Sequence, residues 1–580
     1  MNKIFIVFLI LISFDFLFSQ TTIPEGNVSG SWDLVGSPYL IEGEIEISNG
    51  EALTIEPGVI VEFQGYFPLN VHGQLLAIGS EQDSIYFTIS DTTGFSLPDT
   101  TSGSWDGIHF IETSTTNDSS KIEYCKLEYS KAVFHDICQW DGGAVFIEQY
   151  SKVLISNCHI TNNRAQTGGG LMIRYNSNPI IKMNLIENNI ITGNNTFGAG
   201  ICIRDESCPV IYGNIIRRNE LSGNNGHGGG IYIGADSAPI ISKNLIHDNY
   251  CHLNSGFSKG IGIHIFGSSP IIQDNLIYNN NFSSCSVGGG GISIYYNLFD
   301  DGCFIMNNLI CNNSAQYGGA ILTHEAQAVL INNTIINNFY GGGIDFFMGA
   351  NDIKVINCIL FNNFPEEVSF SQMTYLSTLF SVYSNIEGGE NGVIDEGFDN
   401  TIIWSDNINI YPEFSDSLAF DFSLTDLSPC IGAGIEEIEI DDSWYYSPEY
   451  DIEGNPRPDP YGSMPDIGAY ENPLAQPQVG IENFTMNIYV LSLSNFPNPF
   501  NPTTTIFYSL PSEQNVELCI YNLKGQKVTT LVNETTGQGE HTIQWNGDDE
   551  FGNYVSSGIY YYKLNVNGKT EAVRKCLLLK

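Results

Sequence analysis

Between Arg174 and Asp236 lie the side chains whose types and spacing suit chemistry best: Arg174, Arg204, Asp205, Glu206 and Asp236. Glu206 and Asp236 fall at the same position of successive repeats, which places them about 4.8 Å apart if the repeats stack as strands. Two carboxylates that close repel unless they share a proton or a cation. A pair at about 5 Å suits a retaining glycosidase, and Glu206, Asp236 and Arg204 are the catalytic candidates. The set Asp205, Glu206 and Asp236 suits Ca²⁺, and with arginine a Ca²⁺-dependent lyase. The competing reading is ordinary turn acids with solvated arginine partners. His324–Glu325, with Asp345 one repeat later, is a second acid/base candidate.

A different constellation suits binding. Tyr232, Phe266, Tyr295 and Phe347 recur on one side of successive strands, with His264 and His324 beside them. Exposed rings at strand spacing stack on sugar rings. The competing reading is a groove covered by the inserts at 250–259 and 281–288. The glycine runs are followed by no helix and so are not phosphate loops. No pair of CxxC motifs and no HExxH is present, which argues against zinc.

The elements that must position these groups are repeats. Glycines followed by apolar alternation recur from Gly142 to Asn363: GGAVFIE at 142–148, GGGLMIR at 168–174, GAGICIR at 198–204, GGGIYIG at 228–234, GIGIHIF at 260–266, GGGISIY at 289–295, GGAILTH at 318–324 and GGGIDFF at 341–347. A second phrase of the type NLIENN follows each, and the spacing is roughly 23–32 residues, a stacked-repeat period. Alternation such as Ile231–Tyr232–Ile233 is strand periodicity. Asn184, Asn214, Asn244, Asn275, Asn308 and Asn333 share one register, joined by Cys125, Cys158 and Cys358. This predicts an inward ladder of side-chain amides at a turn. The expected class is all-β: stacked parallel coils, then a small Ig-like sandwich. The repeat resembles the right-handed parallel β-helix family that includes pectate lyases, polygalacturonases and many surface proteins. No extended lyase or polygalacturonase motif accompanies it.

Composition narrows the function. Of 580 residues, 42% are hydrophobic and 15% charged, which excludes a disordered chain. A formal net charge of -43 argues against nucleic acid and anionic membranes as partners. The 13 cysteines, several at inward repeat positions, read as buried thiols and not as a disulfide framework. Residues 1–20 carry Lys3 and an apolar run, the pattern of a secretory signal peptide, and no second span follows it. Residues 21–471 read as the β-helix, with 22–37 as a cap and 421–434 and 451–471 as irregular terminal coils. Residues 472–490 read as a linker.

From 491 to 580 the pattern is that of a small antiparallel sandwich. PNPFNPTTTI, IYNLKGQKV, WNGDDEFG and SSGIYYYKL resemble, in order, the C-terminal sorting domain of type IX (Por) secretion and related flagellar hook-cap Ig-like modules. The resemblance implies export across a bacterial outer membrane by the type IX machinery and display at the cell surface. The expected function is a secreted, surface-attached protein that binds glycan or another surface polymer through an aromatic face. The alternative is a polysaccharide lyase or glycoside hydrolase on the same scaffold.

Overall fold

The computed structural model describes residues 20–97, 100–132, 141–255, 257–282, 286–297, 302–371, 375–395, 400–478, 492–510, 512–537 and 539–579. Residues 1–19 of the expected signal peptide and 479–490 of the expected linker lie outside them. The chain forms a parallel β-solenoid followed by antiparallel sheets. It divides into two compact units, one running to His247 with Phe266–Ile271, the other comprising Asp248–Ile265 and Ile272 onward.

In the first unit each coil contributes one short strand to each of three parallel sheets. One coil shows the plan. Ile231–Gly234 belongs to the second sheet, Ile240–Ser242 to the third and Leu245–His247 to the first. Strands this short alternate by two, so Ile231, Ile233, Ile241 and Ile246 point inward and are fully buried. Stacked on their equivalents in neighbouring coils, these isoleucines form continuous columns, each burial contributing roughly 1.5–3 kcal/mol.

The corners are set by turn chemistry. Gly168, Gly198 and Gly228 take φ of 68°, 65° and 72° at the approach to the second sheet. That left-handed backbone suits residues without a Cβ. Gly200 serves a different need: a Cβ there would lie 2.5 Å from the Gly230 carbonyl oxygen of the next coil. The asparagine register is an inward ladder. Asn184 Nδ2 donates to Asn214 Oδ1 at 2.9 Å, and Asn214 Nδ2 to Asn244 Oδ1 at 3.0 Å. In the second unit Asn275, Asn308 and Asn333 repeat the pattern, and Asn333 donates to the Cys358 sulfur at 3.8 Å. A second ladder runs through Asn163, Asn189 and Asn219, and separately through Asn249, Asn280, Asn313, Asn338 and Asn363. The described cysteines are free thiols, buried except for Cys208.

Two boundaries differ from the sequence reading. Thr21–Ile23, Gly26–Asn27 and Gly30–Trp32 already pair in parallel with the following coil, so 22–37 is part of the first coil and not a separate cap. Among the described residues, no strand after Thr401–Ser405 joins the three parallel sheets. Residues 408–474 fold back instead. Phe414, Phe422 and Leu424 cover the outward Leu309, Ile336, Ile359 and Phe361 of the first sheet. The hairpin Glu437–Ile440 and Ser443–Tyr446 covers the third. The cause is apolar side chains on the outer as well as the inner faces of these coils, which burial must satisfy.

The C-terminal segment is a sandwich of a three-stranded and a four-stranded antiparallel sheet. Trp545, Leu518, Ile520, Tyr562 and Leu564 fill its core.

Candidate functional site

The outward columns of the second sheet align as the repeat predicts. In the first unit Phe146, Met172, Cys202 and Tyr232 pair in turn, and Glu148 pairs with Arg174. In the second, Ser293, Leu322 and Asp345 pair in turn, and Tyr295 pairs with His324.

Exposure corrects the sequence reading. Tyr232, Tyr295, Phe347 and His264 are buried, at 8%, 2%, 8% and 1% exposure; only Phe266, at 40%, is open, and His324 is half-buried. The inserts before the glycine corners pair with one another as additional parallel strands, Glu220–His227 in the first unit and Phe257–Lys259 with Ser286–Gly288 in the second. Phe197 and Phe257, from insert strands, lie against rings of the second-sheet face. Phe197 meets Tyr232 at a ring distance of 4.8 Å, and Phe257 stacks on Phe347 at 6.4 Å.

The charged cluster separates into two parts. Arg174 is held between Glu148, at 2.7 Å, and Asp141, and its guanidinium lies 4.7 Å from the centre of the Phe146 ring. Arg204 pairs with Asp205 at 3.1 Å. Burial raises the Asp141 carboxyl, and the Arg174 charge works against that rise. Glu206 and Asp236 do occupy equivalent turn positions, both at φ 60°, but they are exposed, and the ion pairs of Arg174 and Arg204 are with other acids. The serines that follow them fix this turn, Ser207 N donating to Ser237 Oγ at 3.2 Å. Among the described residues no three His, Cys, Asp or Glu side chains gather closely enough for a metal ion. Asp205, Glu206 and Asp236 are not gathered into such a group.

His324 and Asp345 have different partners. Asp345 accepts hydrogen bonds from Ser371 Oγ at 2.8 Å and Ser369 Oγ at 3.1 Å, and burial pushes its carboxyl up to about 7. His324 stacks on Tyr295 at 4.8 Å, and the exposed Tyr296 ring meets it edge-on at 5.0 Å. His264 bonds Ser293 Oγ at 2.6 Å and tilts toward Tyr295 at 5.5 Å.

Sequence reasoning missed the residue that completes this second cluster. Lys259, from an insert strand, sits with its ammonium 3.8 Å from the centre of the Tyr295 ring. Among the described residues it forms no ion pair, and burial pushes its pKa down to about 8. Burial and the Lys259 charge also lower the imidazole pKa of His324. The Tyr295 hydroxyl and His324 Nδ1 are buried without a hydrogen-bond partner. This assembly sets the exposed Tyr296 ring beside a part-buried cation and two buried, unsatisfied polar atoms. Because the folded state depresses the lysine pKa, the ammonium is a cost below about pH 8 that fades as pH rises toward its ordinary value. Lys259→Met should therefore raise stability at pH 7 by about 1–2 kcal/mol, less than the whole shift because the side chain is part-exposed and gives up a cation–π contact. Thermal melts at pH 7 and pH 9.5 check this, and the gain should shrink at the higher pH.

Comparison with known proteins agrees with the architecture. No curated protein matches the chain. The family described as a right handed beta helix region matches residues 81–299, and the FlgD Ig-like domain matches residues 502–570. Over those two stretches the chain is similar to right-handed β-helices and to the FlgD Ig-like domain.

Proposed function

We propose that this chain is a secreted, surface-displayed β-helix that binds glycan or another cell-surface polymer at the Tyr296–His324 rim above Tyr295 and Lys259. One observation carries the reading: the Tyr295 hydroxyl and His324 Nδ1 are buried and unpaired beside an exposed Tyr296 ring. An unpaired buried polar atom costs about 1–3 kcal/mol, which a ligand hydroxyl relieves. A sugar supplies both such hydroxyls and an apolar ring face. Binding is favoured over turnover because Glu206 and Asp236 are exposed turn residues, while Arg174 and Arg204 are engaged by other acids. In this reading the leader and the C-terminal sandwich, with its sorting-domain resemblance, serve export and attachment.

The test is a glycan and polysaccharide array probed with the purified chain, with assay for released products. Tyr296→Ala and His324→Ala should each weaken binding about tenfold or more, about 1.4 kcal/mol, without unfolding the coil. Unaltered affinity in both removes this rim as the site. Product release that disappears in Glu206→Gln/Asp236→Asn replaces the reading with a lyase or hydrolase.

A further inference from the structure

We propose that the outward face of the third sheet over residues 153–242 docks an extended acidic segment of a protein partner. The face is distinct from the Tyr296–His324 rim, and the inference does not rest on the glycan reading.

The face is visible in the repeat. NPIIK at 178–182, CPVIY at 208–212 and APIIS at 238–242 each place two apolar residues side by side on a strand. One of each pair must point outward. Ile181, Ile211 and Ile241 are the buried members. Leu154, Ile180, Val210 and Ile240 are the outward ones, paired in a single column. Ile180 is 45% and Ile240 41% exposed, with Tyr212 beside them at 40%. A contiguous aliphatic column in water is an unsatisfied surface.

The second unit shows what covers such a column. There the equivalent outward residues are Phe304, Val329, Lys354 and Phe380, with Met306, Ile331, Ile356 and Val382 beside them. The hairpin at 437–446 packs Ile438, Ile440 and Tyr445 onto them, and Asp441 reaches Lys354 at 3.7 Å. The covering segment, IEEIEIDDSWYY at 435–446, alternates acids with apolar side chains.

Charge on the first-unit face matches a segment of the same kind. Eleven of the 22 basic residues but only ten of the 65 acidic ones lie between Lys121 and Lys243, so this stretch carries a formal +1 and the remainder -44. Lys121 stands in the aliphatic column, Lys182 stands next to it, and Lys243 occupies the adjoining turn. Among the described residues none of the three pairs with a carboxylate, in a chain where acids outnumber bases about threefold. Leu, Ile and Val side chains favour aliphatic and aromatic protein groups over sugar rings, which stack on aromatic faces. Lysines beside an aliphatic column thus select a strand that alternates carboxylates with apolar side chains.

The experiment uses the full chain and a labelled peptide of sequence IEEIEIDDSWYY, followed by fluorescence anisotropy. The peptide should bind, and Lys182→Glu/Lys243→Glu and Ile180→Ser/Ile240→Ser should each weaken it at least about tenfold. Raising the salt should weaken it further, and Tyr296→Ala should leave it unchanged. The proposal is overturned if the peptide does not bind, if a version with Gln and Asn in place of its acids binds equally well, or if neither double variant matters. Binding of a carboxylated polysaccharide in place of the peptide, lost in the same variants, overturns it by assigning the face to glycan. A self-association lost in those variants, without peptide binding, overturns it by assigning the face to a second copy.

Discussion

Replacing Asn244 with Leu lowers the stability of the solenoid by on the order of 3–5 kcal/mol, without changing its surface. Asn244 is fully buried in the first-unit ladder. Its Oδ1 accepts from the Asn214 backbone N–H at 2.8 Å and from Asn214 Nδ2 at 3.0 Å. Its Nδ2 donates to the Ile211 and Ser242 carbonyls at 2.9 and 3.0 Å. Leu is close in size but can do neither, so several groups around it stay buried and unpaired. Each such loss costs about 1–3 kcal/mol, partly relieved by relaxation. Asn244→Cys should cost less, because Cys158 and Cys358 hold the same register and bond neighbouring backbone through sulfur. Chemical denaturation of the two variants against the parent chain measures both effects. An unchanged midpoint for Asn244→Leu would contradict the ladder.

Between pH 5 and pH 8 the chain loses stability, and the loss is on the order of several kcal/mol. Its source is a set of carboxyls that folding buries. Asp466 is fully buried, and burial together with the neighbouring Glu471 pushes it up to about 8. Arg457 neutralises Glu471 through a contact at 2.8 Å but leaves Asp466 as the second acid of the site. Burial raises Asp345 to about 7. Burial and the adjoining Glu387 raise Glu367, which ends the second asparagine ladder by accepting from the Asn363 N–H at 2.8 Å. Each of these groups has a folded pKa above its unfolded value, so the folded state holds the extra proton. The contribution of Asp345 and Asp466 is complete below about pH 4 and is lost as pH rises through about 7 to 8, and that of Glu367 is lost in the same direction. Lys259 acts in the opposite direction, but mainly above pH 8, so the window from 5 to 8 isolates the acids. Melting temperature followed across that window should fall, and Asp466→Asn and Glu367→Gln should flatten the fall. A profile that rises with pH would overturn this account.

How much was legible in the sequence follows from the range over which each signal acts. Alternation within four or five residues told inside from outside, because a strand has no other way to place its side chains. Ile231 and Ile233 are inward and Tyr232 outward as their spacing requires. The first asparagine ladder was legible for the same reason: its register is a constant offset from each strand. The second could have been found from the asparagine that closes each second phrase, as Asn189 closes NLIENN and Asn219 closes NIIRRN.

The state of the outward side chains was not legible, and the candidate site changed because of it. Outward on a coil means solvent only if no other segment returns to that face, and alternation carries no information about that. Tyr232 and Tyr295 are covered by inserts that the sequence marks merely as longer than their neighbours. Ile331 and Ile356 are covered by a hairpin about a hundred residues further along the chain. Ile180 and Ile240 carry the same kind of pattern and stay open. Charge pairing is equally non-local: Arg174 chose Asp141 and Glu148 over the nearer-numbered acids because the coil brings those two beside it. The sequence by itself determined the coil, its inward columns and its turns, since these depend on contacts at one fixed repeat. Only the tertiary structure decided which outer residues meet water, since that depends on where irregular segments of unrelated sequence come to rest.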